Sequence, residues 1–118
     1  MSTLQGRRRP DQPPGHLPDD IQPGDYWRPL AKDGQPERAD HPGNLTGSVW
    51  VVVAPNHDAD RAWMMGRLEL HTVREHEDGT ISVRPGDGSS NSILITGRWQ
   101  DQETTWHGYI DHGVWEGC

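Results

Sequence analysis

Apolar residues in this chain fall in short runs, often spaced two apart, between clusters of glycine, proline and aspartate. Residues 71–85 give the clearest signal: two β-prone arms containing Val73, Ile81 and Val83, joined by Glu77-Asp78-Gly79. A three-residue loop with Gly79 in the left-handed region sets Val73 opposite Val83. His71, Val73, Ile81 and Val83 then share one face. A two-residue loop would pair Arg74 with Val83 and His76 with Ile81, a poorer apolar match, and a one-residue slip moves every side chain to the other face. The three-residue register is therefore expected.

The remaining runs extend the same pattern. Residues 48–54 are almost continuously apolar and β-branched, which predicts a buried central strand ended by Pro55. Residues 59–65 predict a short helix or irregular turn, with a strand from Arg67. Residues 92–96 predict another buried strand, broken by Gly97, and between Trp99 and Trp106 one more turn is expected across residues 100–103. Near the end, Asp111-His112-Gly113 has the same form as Glu77-Asp78-Gly79. By analogy it pairs Ile110 with Val114 and Tyr109 with Trp115. Breakers fill residues 31–47. The sum is an all-β chain: a small antiparallel sandwich or roll of five to seven short strands.

Composition divides the chain in two. Residues 1–24 hold five of the ten prolines and almost no large apolar side chains. Such a segment buries too little surface to offset its ordering entropy, so a flexible or partner-ordered arm is expected, followed by one β domain over 25–118. The chain joins the fold through Tyr26 and Trp27. With 118 residues, no Phe and six Trp, the core must lean on those rings.

Charge and cysteine usage narrow the function classes. The formal net charge is −7, and Lys32 is the single lysine. Only Arg7-Arg8-Arg9 cluster, with Asp11, Asp19 and Asp20 nearby, so nucleic acid is not an expected partner. Cys118 is the lone cysteine, which excludes an internal disulfide and suggests a reducing compartment. No apolar run approaches the roughly 20 residues of a membrane span, and no apolar core follows the early arginines. A cytoplasmic protein is expected.

Three candidate chemistries remain. The first is zinc, on His71 and His107 from inner faces or His76 and His112 from hairpin rims, with Cys118 near the second hairpin. Five-residue spacing puts the members of each sequence pair on opposite strand faces, so the four do not converge easily. The loop with Asp58 and Asp60 lacks the other features of a calcium loop, and residues 85–91 lack the ending of a phosphate cradle. The second is hydrolysis, with Glu69, Glu75 or Asp111 as base beside His71 or His107 and Ser92 as nucleophile. No motif orders these groups, and no catalytic residue is assigned. The third is an aromatic binding face of Trp106, Tyr109 and Trp115.

The motifs HTVxEHxDGTISVxP, then SIL, then WHGYIxxGVW, over roughly residues 70–116, resemble a family of small uncharacterised actinobacterial and phage proteins, a domain of unknown function. The resemblance implies a phage accessory or early gene product and brings no activity. Some relatives carry paired cysteines suggestive of zinc, a site that Cys118 alone cannot build. The expectation is a non-enzymatic protein acting by protein binding, host-directed or virion-associated, with no cofactor. Its arm would tether a partner or cover the sheet edge of a second copy in a homo-oligomer. The alternative is a zinc module or small metalloenzyme on His71 and His107.

Overall fold

In a computed structural model, residues 3–57, 64–99 and 102–118 are described, with the side chains of Arg98, Trp99 and Gln102 left aside. The helix expected at 59–65 lies largely outside these residues, as do Asp58, Asp60 and the connection at 100–101. The described residues form ten short strands and no helix. These are β1 (Thr3–Gln5), β2 (Arg7–Arg8), β3 (Asp25–Trp27), β4 (Trp50–Val53), β5 (Met65–Leu68), β6 (Thr72–Glu75), β7 (Ile81–Arg84), β8 (Ile93–Trp99), β9 (Gln102–Asp111) and β10 (Val114–Gly117).

They assemble into two sheets. One has four strands in the order β2-β3-β4-β5. The other has six, in the order β1-β10-β9-β7-β6, with β8 also on β9. The long strand β9 organises the larger sheet. Its Gly108 faces both Gly117 and Ile93, and its Ile110 faces both Trp115 and Val83. Strands β8 and β7 therefore follow one another along one edge of β9, while β10 takes the other.

The core lies between the sheets. Tyr26, Trp50, Val52 and Leu68 from the small sheet meet Val73, Ile81, Val83, Ile95, Ile110 and Trp115 from the large one. Strand β4 has its other side covered too, since Val49 and Val53 are buried. That accounts for the unbroken apolar run at 48–54.

The first hairpin has the expected register, Val73 opposite Val83 and Glu75 opposite Ile81. His76 and Thr80 close the three-residue loop at 2.8 Å, and Gly79 has φ +84°. The second hairpin does not follow it. Val114 faces Asp111, Trp115 faces Ile110 and Glu116 faces Tyr109, so the loop is His112-Gly113 alone. Both residues have positive φ, 49° and 77°, as a type I′ turn requires. This one-residue slip puts Ile110 and Trp115 together on the core side and sends Tyr109 outward. Strand β5 begins at Met65 rather than Arg67 and pairs with β4, and a bend at Glu69 and Leu70 separates it from β6. Strand β8 passes through Gly97 without breaking. Its burial alternates, Ile93 and Ile95 inward with Leu94 and Thr96 outward.

The flexible arm is the largest correction. Strand β1 pairs antiparallel with β10, and β2 pairs parallel with β3. The segment covers an edge of its own sheet and crosses from one sheet to the other at Gly6, whose N–H reaches Gly113 O at 2.8 Å. A Cβ at Gly6 would collide with the Gly24 carbonyl and come within 2.8 Å of Trp115 Nε1, so the crossing needs glycine.

Charge secures this strap. Asp25 has a fully buried side chain, bonded by Arg7 Nε at 2.8 Å, Arg9 Nη1 at 2.9 Å and Gln22 N at 3.0 Å. Arg8 reaches Glu75 at 2.8 Å and Gly79 O at 2.9 Å, and its guanidinium lies 4.6 Å from the Trp50 ring centre. Burial pushes the Asp25 carboxyl up, but the bonds from Arg7, Gln22 and Arg9 outweigh it and hold it below the ordinary 3.8. Its contribution is therefore complete above pH 3.8 and is lost as pH falls further. Asp25→Asn should cost about 2–4 kcal/mol at neutral pH by leaving Arg7 and Arg9 uncompensated. Urea denaturation should also show a shallower loss of stability below pH 4 than in the parent (from the ordinary value of about 3.8).

Candidate functional site

The small sheet packs on one face of the large sheet and leaves the other open. By alternation that open face carries Thr72, Arg74, Ser82, Arg84, Leu94, Thr96, Thr105, His107, Tyr109 and Asp111. Arg74, Leu94, Thr96, Thr105, His107 and Asp111 are exposed. The two hairpin tips meet at one end of this face.

There His76 and His112 stack, ring centres 3.7 Å apart and planes 10° from parallel. Ser82 joins them. Its Oγ donates to Asp111 Oδ1 at 2.9 Å, receives the His112 backbone N–H at 3.0 Å and lies 2.7 Å from His76 Nε2. His112 Nδ1 also reaches Asp111 Oδ1 at 2.9 Å. A hydroxyl has one proton. With that proton directed at the Asp111 carboxylate, His76 Nε2 donates to Ser82 rather than accepting from it. Ser82 is thus a junction in a polar network, and His76 is not placed to draw its proton. Bonds from Ser82 and His112 hold the Asp111 carboxyl below its ordinary range.

A cleft of about 330 Å³ opens beside this network, lined by Thr72, Arg74, His76, Ser82, Arg84, Asp111 and His112. Arg84 is anchored, its Nη1 donating to Val83 O at 2.8 Å and Ile110 O at 3.0 Å, with the guanidinium 5.4 Å from the Tyr109 ring centre.

Of the four candidate histidines, the structure joins His76 and His112 alone. Their ring planes are nearly parallel, so their in-plane lone pairs do not converge on one ion. His71 sits at the bend before β6, half-buried near His41, with a buried Nδ1 that lacks a partner among the described residues. His107 is exposed on the open face opposite Leu94, where an inner-face position was expected, and the cause is the register of the second hairpin. Cys118 bonds through its backbone to His107 O at 3.1 Å. No group of three or more His, Cys, Asp or Glu suited to a metal occurs among the described residues.

The expected hydrolytic set is dispersed. Glu69 pairs with Arg67, Glu75 with Arg8, and Ser92 lies in the loop before β8. Asp111 meets Ser82 and His112 instead. The aromatic trio also divides. Trp115 is 1 % exposed and Trp106 packs edge-on against it at 5.1 Å, leaving Tyr109 on the open face. Sequence reasoning missed Ser82, Arg74 and Arg84. Their alternation with Val73, Ile81 and Val83 was the signal available.

Comparisons with protein-family models, curated proteins and solved structures return no match.

Ser82→Ala should cost about 1 kcal/mol, as expected for hydrogen bonds in a partly exposed network. The ring-current shifts of the His76 and His112 imidazole protons should collapse with it. Unchanged shifts would show that the stack does not depend on Ser82. For His71, burial and the nearby His41 lower the folded pKa below 6.5. The unfolded chain then takes up the proton first, so stability is whole above pH 6.5 and declines as pH falls below it. His71→Gln should flatten the decline of stability below pH 6.5, read by denaturant midpoints.

Proposed function

We propose that this is a non-enzymatic, phage-type accessory protein that acts in the cytoplasm by binding another protein, host-directed or virion-associated. The open face of the six-stranded sheet is the observation that carries the reading. It presents Tyr109 stacked by Arg84, the exposed Arg74 and a Leu94 that is 54 % exposed, on a chain of formal net charge −7. An aromatic and an arginine set among open polar positions are what a contact surface needs. The motifs at 70–116 that resemble the actinobacterial and phage family lie largely on these strands. The N-terminal segment, occupied with its own sheets, is not assigned to the partner. The absence of helices able to cross a membrane among the described residues is compatible with this placement.

The hydrogen-bond roles around Ser82 favour binding over catalysis, since the hydroxyl proton is committed to Asp111. The zinc alternative would have to use His71 and His107 from different sides of the sheet.

Affinity capture from host lysate, quantified by mass spectrometry, tests the reading. The protein should retain a defined partner that the double variant Arg74→Glu/Tyr109→Ala loses, while Leu45→Ala, at an exposed loop position, keeps it. Retention by the open-face variant would exclude this surface. One zinc per chain in purified protein, lost together with folding in chelator, would overturn the reading in favour of the metal alternative.

A further inference from the structure

Arginine pairing is uneven across the molecule. Arg7 and Arg9 pair with Asp25, Arg8 with Glu75, Arg28 with Asp11, Arg38 with Asp40, and Arg67 with Glu37 and Glu69. Among arginines with described side chains, Arg74 and Arg84 are the two without an ion pair, and both line the cleft beside the stacked histidines. In a chain with 18 acidic residues and 11 basic ones, one concavity holds two guanidiniums without an ion pair, and Asp111 acts on Arg84 through its field rather than by contact, which suits the cleft to an anion.

The donors also fit a particular group. Arg84 Nη1 is spent on backbone carbonyls, which fixes the fork and leaves Nε and Nη2 without hydrogen bonds among the described residues. Arg74 adds a second fork and Thr72 a hydroxyl. A single carboxylate fills one fork, whereas a phosphoryl group has oxygens enough for both. Asp111 is the one carboxylate in the lining. Its Oδ1 is already engaged by Ser82 and His112, and the two guanidiniums exceed its charge.

We propose that this cleft is a phosphoryl-binding site, with Arg84 as the anchored donor, Arg74 as the exposed one and Thr72 completing the set. The ligand is a phosphate group, free or esterified, and the site stands whether or not a protein partner docks on the same face.

Titration of the full chain with inorganic phosphate, followed by ¹H–¹⁵N correlation spectra at constant ionic strength and pH, tests this directly. Shifts should concentrate at Thr72, Arg74, Ser82, Arg84 and His112 and leave Arg8, Arg9 and Arg28, whose charges are paired, unmoved. Acetate should bind more weakly. Arg74→Gln, at an exposed position, should weaken phosphate about tenfold with spectral dispersion intact, and Arg84→Lys should weaken it at least as much. A parallel titration with phosphoserine identifies the source: tighter binding than inorganic phosphate marks an esterified ligand, and weaker binding a free one. No saturable shifts in the cleft with either probe, equal binding of acetate, or an undiminished affinity in Arg74→Gln would overturn the assignment.

Discussion

Asp25 carries the constraint on which the rest of the arrangement depends. A fully buried carboxylate demands compensation, and it draws Arg7 and Arg9 from a segment that sets little more than Leu4 against the core. Once those arginines are fixed, β2 lies along β3, Gly6 crosses between the sheets and β1 reaches the edge of β10. Arg8, pointing the other way, ties the same strap to the tip of the first hairpin through Glu75 and Gly79. Electrostatics and backbone pairing thus join two sheets that share one apolar interior.

The same division separates what was legible in the sequence from what was not. The all-β class, the 48–54 strand and the first hairpin were legible because they follow from alternation, β-branching and one glycine in a three-residue loop. The arm was misread because composition counts apolar area, and this segment is ordered by charge on a single buried aspartate just beyond its end. The second hairpin was misread because Asp111-His112-Gly113 imitates the first loop. Histidine is among the non-glycine residues that tolerate positive φ, and with His112 at 49° the turn shortens by one residue. The pairing of Tyr109 with Trp115 would also have made both faces apolar, which a sheet covered on one side does not accommodate.

That slip decides where the chemistry lies. It moves His107 and Tyr109 to the open face and swings Asp111 and His112 over the outward residues of the first hairpin. Ser82, at the centre of the resulting network, has no signature in sequence beyond its parity. The stacked histidines and the arginine-lined cleft exist because two loops of different length converge on one end of β9.

The pairing of β1 with β10 has a mechanical consequence. Thr3 lies across from Glu116 in an antiparallel pair, so the start of β1 and the end of β10 lie side by side. Force applied between those two points would open the ladder one rung at a time rather than shear it whole. Unzipping from this end would free β1 as far as Gly6, where the strap beyond remains tied through Arg7 and Arg9 to Asp25.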